Sequence, residues 1–173
     1  TPTMQQNFSQ YFRSLQILFS ALLVGQIVVM VIIYNIQEPP AGDMAFKNTV
    51  AKWLPLLLIV QAGLAFFLNR TKLETARSKS TIEEKLEDYR IASVLKWALL
   101  EGGTLISIVL FFVWGPVLFF YYAIIMAALF ATQFPSRQRL INELDISANE
   151  QMILDDPNAM IAQSKRYTLP HSH

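Results

Sequence analysis

The stretch LKWALLEGGTLISIVLFFVWGP, from Leu95 to Pro116, places one carboxylate, Glu101, inside an otherwise apolar run. Gly102 and Gly103 follow it directly. An acid in that setting can carry a proton or a cation, or it can donate a hydrogen bond across a helix contact. Glu101 lies ten residues into the third apolar block, which at about 1.5 Å per residue is roughly 15 Å deep. A charged acid at that depth costs several kcal/mol, so it is expected to be protonated, paired or beside water. On a helix its neighbours are Trp97, Ala98, Thr104 and Leu105. Arg90 lies on nearly the same face but roughly 16 Å along the axis, too far for a direct ion pair. Lys96 points to another side and is expected to snorkel to the interface. Glu101 is therefore the ion or proton candidate, with Gln26, Gln61 and Thr104 as possible partners. The plainer reading is a lone protonated acid that bonds one backbone carbonyl or one glutamine.

Other chemistries find no residues. The chain has no cysteine, so disulfides, thiol catalysis and Cys-ligated metals are excluded. Its two histidines, His171 and His173, sit at the extreme C-terminus, away from any apolar block. A net charge of +1 offers nothing to a nucleic acid. No Gly-rich phosphate loop and no paired catalytic carboxylates are present. The expectation is a non-enzymatic protein with neither cofactor nor metal.

The elements that must position Glu101 follow from the apolar pattern. The 173 residues are 53% hydrophobic and 16% charged, with mean hydropathy +0.35, well short of the roughly 25% charged residues of a soluble domain. The apolar residues fall in four blocks, near 15–34, 50–68, 91–114 and 117–134. This predicts an all-α polytopic membrane protein with four transmembrane helices, in contact with the lipid bilayer. The first block is too long for a signal-peptide core and reads as a retained span. Residues 1–134 are expected to form the bundle. Residues 135–173 are expected to form a cytoplasmic tail with a short amphipathic helix and a disordered end. Arg70, Lys72, Arg77, Lys79, Lys85 and Arg90 fill the segment between the second and third blocks. Arg13, Arg137, Arg139, Lys165 and Arg166 flank the outer blocks, while only Lys47 and Lys52 lie between the first two. The cationic excess predicts both termini and the 69–90 segment on the cytoplasmic side, in a bacterial inner membrane. Trp53 and Trp114 then fall near the opposite interface, where indoles settle.

The sequence repeats itself. FRSLQILFSALLVGQIVVMVII, from Phe12, aligns with YRIASVLKWALLEGGTLISIVL, from Tyr89. Arg13 meets Arg90, Ala21 meets Ala98 and Gly25 meets Gly102, while Glu101 falls opposite Val24. This predicts two parallel-repeated hairpins related by an axis along the membrane normal. Ala21 with Gly25, Ala98 with Gly102, and Ala123, Ala127 and Ala131 form small-residue stripes suited to close helix packing. They are expected to serve the bundle itself, or in part another subunit.

Two polar arms complete the chain. STIEEKLEDYR opens with a capping box, Thr81 and Glu84, and puts Ile82, Leu86 and Tyr89 on one face. ISANEQMIL repeats the arrangement with Ser147 and Glu150, and Pro157 ends the helical pattern beyond it. The arms are expected either to lie solvated along the membrane surface or to dock a cytoplasmic partner.

The run RIASVLKWALLEGGTLISIVL resembles the carboxylate helix of the c-type rotor subunits of rotary ATPases. There an arginine in the cytoplasmic loop precedes an apolar stretch and an ion-carrying glutamate. The resemblance implies those roles for Arg90 and Glu101. It covers about 20 residues; the chain has no Gly-x-Gly-x-Gly first helix, and its acid sits on the third span instead of the fourth. The whole chain also resembles small four-span bacterial membrane proteins that share the ALLEG element and a charged C-terminal tail, a family from which no function carries over. The residues together point to an accessory or scaffolding subunit among other membrane subunits, in a hetero- or homo-oligomer. The alternative is a proton or cation pathway through Glu101.

Overall fold

A computed structural model describes residues 8–37 and 44–155, all of whose regular structure is helical. Six helices follow in order: α1 (Phe8–Ile36), α2 (Met44–Arg77), α3 (Ile82–Trp114), α4 (Val117–Ala131), α5 (Arg137–Leu144) and α6 (Ala148–Asp155). The first three, of 29, 34 and 33 residues, are long and apolar enough to cross a membrane. Their length and composition make this an integral membrane helical protein.

The fourth expected span is shorter than its apolar block. Helix α4 has 15 residues and ends at Ala131, not Phe134, so it rises only about 22 Å against a hydrocarbon core of about 30 Å. Thr132 Oγ1 donates to Leu129 O at 2.6 Å and Gln133 N to Phe130 O at 2.8 Å. These tight local bonds close the helix before Pro135.

The described chain divides into two compact units. The apolar unit comprises 19–68 and 94–134; the polar unit comprises 8–18, 69–93 and 135–155. In the apolar unit α1 and α3 run parallel. Phe19 packs on Trp97 at 5.1 Å and Tyr34 stacks on Phe111 at 6.4 Å, pairs 78 and 77 residues apart, which is the spacing of the sequence repeat. Helix α2 runs antiparallel to α3, with Lys47 bonded to Trp114 O and Gln61 to Leu99 O. Helix α4 runs antiparallel to α1, with Phe130 stacked on Phe19 at 4.7 Å and Phe120 near Tyr34 at 5.0 Å. Helix α3 touches all three others and is the most buried of the long helices.

Backbone polarity inside this unit is satisfied locally, as an apolar surround requires. Pro55 interrupts α2 and has no N–H to give Ala51 O. Tyr122 Oη supplies the missing donor to that carbonyl at 3.3 Å. Gly115, at φ 86°, ends α3 with its N–H on Phe111 O, a left-handed turn that glycine adopts without strain. Lys47 Nζ donates to Trp114 O at 3.1 Å, a cation at the negative end of α3.

The polar unit has its own core. Leu73, Ala76, Ile82, Leu86, Tyr89, Leu140, Leu144 and Ile146 are buried, with Phe8, Tyr11 and Leu15 from α1. Tyr11 Oη donates to Leu86 O at 2.6 Å. The arms are therefore packed together rather than laid out singly along a surface. Thr81 Oγ1 caps α3 by accepting from Glu84 N at 3.3 Å, and α3 runs unbroken from Ile82 to Trp114. The tail forms two short helices where one was expected. Ser136 caps α5, and Asp145 in left-handed conformation ends it. Ser147 and Glu150 cap α6 reciprocally, at 2.9 Å and 3.4 Å. The expected disordered end, with Pro157, His171 and His173, lies outside the described residues.

Candidate functional site

The site is built around the middle of α3. Its buried face runs Lys96, Trp97, Leu100, Gly103, Thr104, Ser107, Ile108 and Phe111, positions three and four apart. Glu101 lies one residue round from this face and is half-buried. On its side of the helix Ala98 and Leu105 are exposed. Among the described residues nothing donates a hydrogen bond to Glu101 or pairs with its charge.

The expected partners have other engagements. Gln61 Nε2 donates to Leu99 O at 2.7 Å. A Cβ added to Gly102 would fall 3.1 Å from the same Nε2, so the glycine is what lets the amide approach the α3 backbone. Thr104 and Ser107 are fully buried, and their hydroxyls bond carbonyls of their own helix, Leu100 O at 3.5 Å and Gly103 O at 2.9 Å. Gln26 is 1% exposed, and neither atom of its amide has a hydrogen-bond partner. The α1–α3 register puts it level with Gly103 and Thr104. An unmet amide in an apolar surround costs about 1–3 kcal/mol, and Trp97 Nε1 in the same unit is likewise buried without a hydrogen-bond partner. The structure thus gathers Gln61, Gly102, Gly103 and Thr104 at one level of α3. It does not bond any of the expected partners to Glu101.

The small residues divide. Ala123 and Ala127 are buried, and Gly103 sits against α2 and α4, with Leu58 and Met126 beside it. Ala21, Gly25, Ala98 and Ala131 are exposed, and a Cβ added to Gly25 meets nothing within 4 Å. Glycine in the first repeat and its counterpart Gly102 therefore differ: one faces open surround, the other a glutamine.

Two lysines were misread or passed over in the sequence. Lys96, expected to snorkel, is 4% exposed and buried within the apolar unit. Lys47 is equally buried and caps α3. The signal for Lys96 was present: it shares the 93, 97, 100, 104 face, which amphipathic spacing marks as inward.

In the polar unit the strongest electrostatic contact joins Lys85 Nζ to Glu150 Oε1 at 2.7 Å, both side chains mostly buried. Burial is the largest single influence on Glu150 and pushes its carboxyl up. The bonds from Lys85 and Ser147 together outweigh it and hold the carboxyl below its ordinary value of 4.5. Among the described residues no cluster of His, Cys, Asp or Glu is arranged to hold a metal ion. Comparison with family models, with curated proteins and with solved structures finds no match to this chain.

Proposed function

We propose that this chain is a non-enzymatic subunit of a larger bacterial inner-membrane complex, with four spans in two parallel hairpins and both ends cytoplasmic. The observation that carries the reading is the unused surface around Glu101. A carboxyl at membrane depth, half-buried and without a partner among the described residues, sits beside the exposed Ala98. Small residues and a polar group on one helix face are what a neighbouring transmembrane helix needs for close approach and a hydrogen bond. Ala21 and Gly25 offer a second such face on α1. The test is purification from native membranes in a mild detergent, with mass measurement of the intact assembly. A stoichiometric complex is expected; a stable monomer with nothing bound overturns the reading.

A second reading makes Glu101 a proton or cation carrier. The same lack of a partner supports it, because a carrier must release what it binds. Glu101→Gln separates the two. A scaffold keeps its assembly through an amide that still donates and accepts, whereas a carrier loses flux altogether. Proton flux unchanged in reconstituted vesicles of the Gln variant overturns the second reading.

A further inference from the structure

Three amphipathic aromatic side chains stand out from the apolar unit at one level. Tyr34 on α1, Trp53 on α2 and Tyr121 on α4 are 58%, 63% and 55% exposed. Two contacts fix the common level. Phe120, next to Tyr121, lies 5.0 Å from Tyr34, and Tyr122 Oη donates to Ala51 O, just before Trp53, at 3.3 Å. The exposed polar residues of α2 in this unit, Asn48, Thr49 and Lys52, all precede Trp53. Rings with an apolar body and a polar tip settle at the boundary between acyl chains and headgroups. The three therefore mark one edge of the hydrocarbon layer.

The other edge is set by the end of α4. That helix stops at Ala131, and the chain then leaves helical conformation through the exposed Thr132 and Phe134. Exposed irregular backbone has no place among acyl chains, where nothing can bond its polar groups. Phe130 stacks on Phe19 at 4.7 Å, so this edge lies level with Phe19 on α1. The height between the edges can be measured along three helices. Helix α1 rises about 22 Å from Phe19 to Tyr34. Helix α2 rises about 21 Å from Trp53 to Phe67, its last exposed large apolar residue. The whole of α4 rises about 22 Å. Tilt only lowers these values, and an ordinary hydrocarbon core is about 30 Å thick. The shortfall is shared by all three helices, whereas a partner helix laid along one of them would leave the others unmatched.

We infer that this chain gathers phospholipids of short acyl chain around its apolar unit, in a hydrocarbon layer about 22 Å thick. Longer chains must compress or bend to meet the two edges, at a cost that grows with each ångström of mismatch. The inference rests on the membrane reading and not on any partner protein or on Glu101.

The experiment uses the full chain in phosphatidylcholine bilayers with myristoleoyl, oleoyl or erucoyl chains, alike in headgroup and unsaturation and different in length. Competition against a brominated oleoyl lipid reads relative binding through the quenching of Trp53, which is exposed while Trp97 is buried. Myristoleoyl lipid is expected to bind about threefold better than oleoyl, and erucoyl lipid worst. The melting temperature is expected to fall in the same order. Tyr121→Leu, which blurs one edge, is expected to reduce the preference about twofold. Ile125→Leu, exposed on the same helix between the edges, leaves it unchanged. Equal binding of the three lipids overturns the proposal, as does best binding of the oleoyl or erucoyl lipid, or a loss in Ile125→Leu equal to that in Tyr121→Leu. The membrane reading fails separately, if the chain purifies and melts normally without any amphiphile.

Discussion

At the scale of single residues, Gly25 and Gly103 stand one position out of register in the repeat and occupy opposite kinds of place. A methyl group on Gly103 would fall 2.6 Å from Met126 Cε and 3.3 Å from Leu58 Cδ2. Met126 ends in a flexible thioether and can yield, so the cost of Gly103→Ala is set mainly by Leu58 and is expected near 1–2 kcal/mol. Gly25→Ala meets open space and is expected to change stability by less than about 0.5 kcal/mol. Unfolding of the two variants in the same detergent checks the contrast. A Gly25→Ala variant as unstable as Gly103→Ala would mean that α1 is packed on its outer side even in the isolated chain. Glu101 illustrates the same division between type and place. Its oddity could be read from its neighbours, but its half-exposure required knowing that α3 turns Lys96, Thr104 and Ser107 inward instead.

At the scale of elements, the helices begin and end where local chemistry dictates. Gly115-Pro116 stops α3, and Thr81 and Ser147 cap α3 and α6 with a glutamate three residues on. The docking of α6 is less local, because Glu150 also holds Lys85, 65 residues away. Its carboxyl lies below the ordinary 4.5 when folded. The group therefore stabilises fully above that value and loses its contribution as pH falls through the depressed folded value. Hydrogen exchange of α6 amides between about pH 7 and pH 3 is expected to show protection lost below about 4.5. Glu150→Gln is expected to remove that pH dependence and to cost about 1 kcal/mol at neutral pH. An unchanged acid limb in the Gln variant would assign the loss to another carboxylate.

At the scale of the whole molecule, the absence of cysteine makes sidedness easy to test. Ser78, in the turn between α2 and α3, and Asn48, near the start of α2, are both exposed. With the polar unit cytoplasmic, an impermeant maleimide added to intact spheroplasts is expected to label Asn48→Cys at once and Ser78→Cys only after lysis. The reverse order would invert the orientation. The sequence by itself determined the helical class, the long apolar helices, the caps and stops, and the carboxyl inside the third apolar block. These follow from hydropathy and from bonds within three or four residues, which neighbours along the chain suffice to make. It also carried the spacing at which α1 and α3 lie side by side. Only the tertiary structure decided that α4 closes at Ala131, that Gln61 bonds Leu99 O through the gap at Gly102, that Tyr122 serves the carbonyl left bare by Pro55, and that Lys96 is buried. It alone turned Ala21 and Gly25 outward while Ala123 and Ala127 went in. In lipid, apolar residues gain little by choosing one face over another, so hydropathy ranks a helix without orienting it. Orientation is set by which helices meet and at what level, and those contacts join residues far apart in the chain.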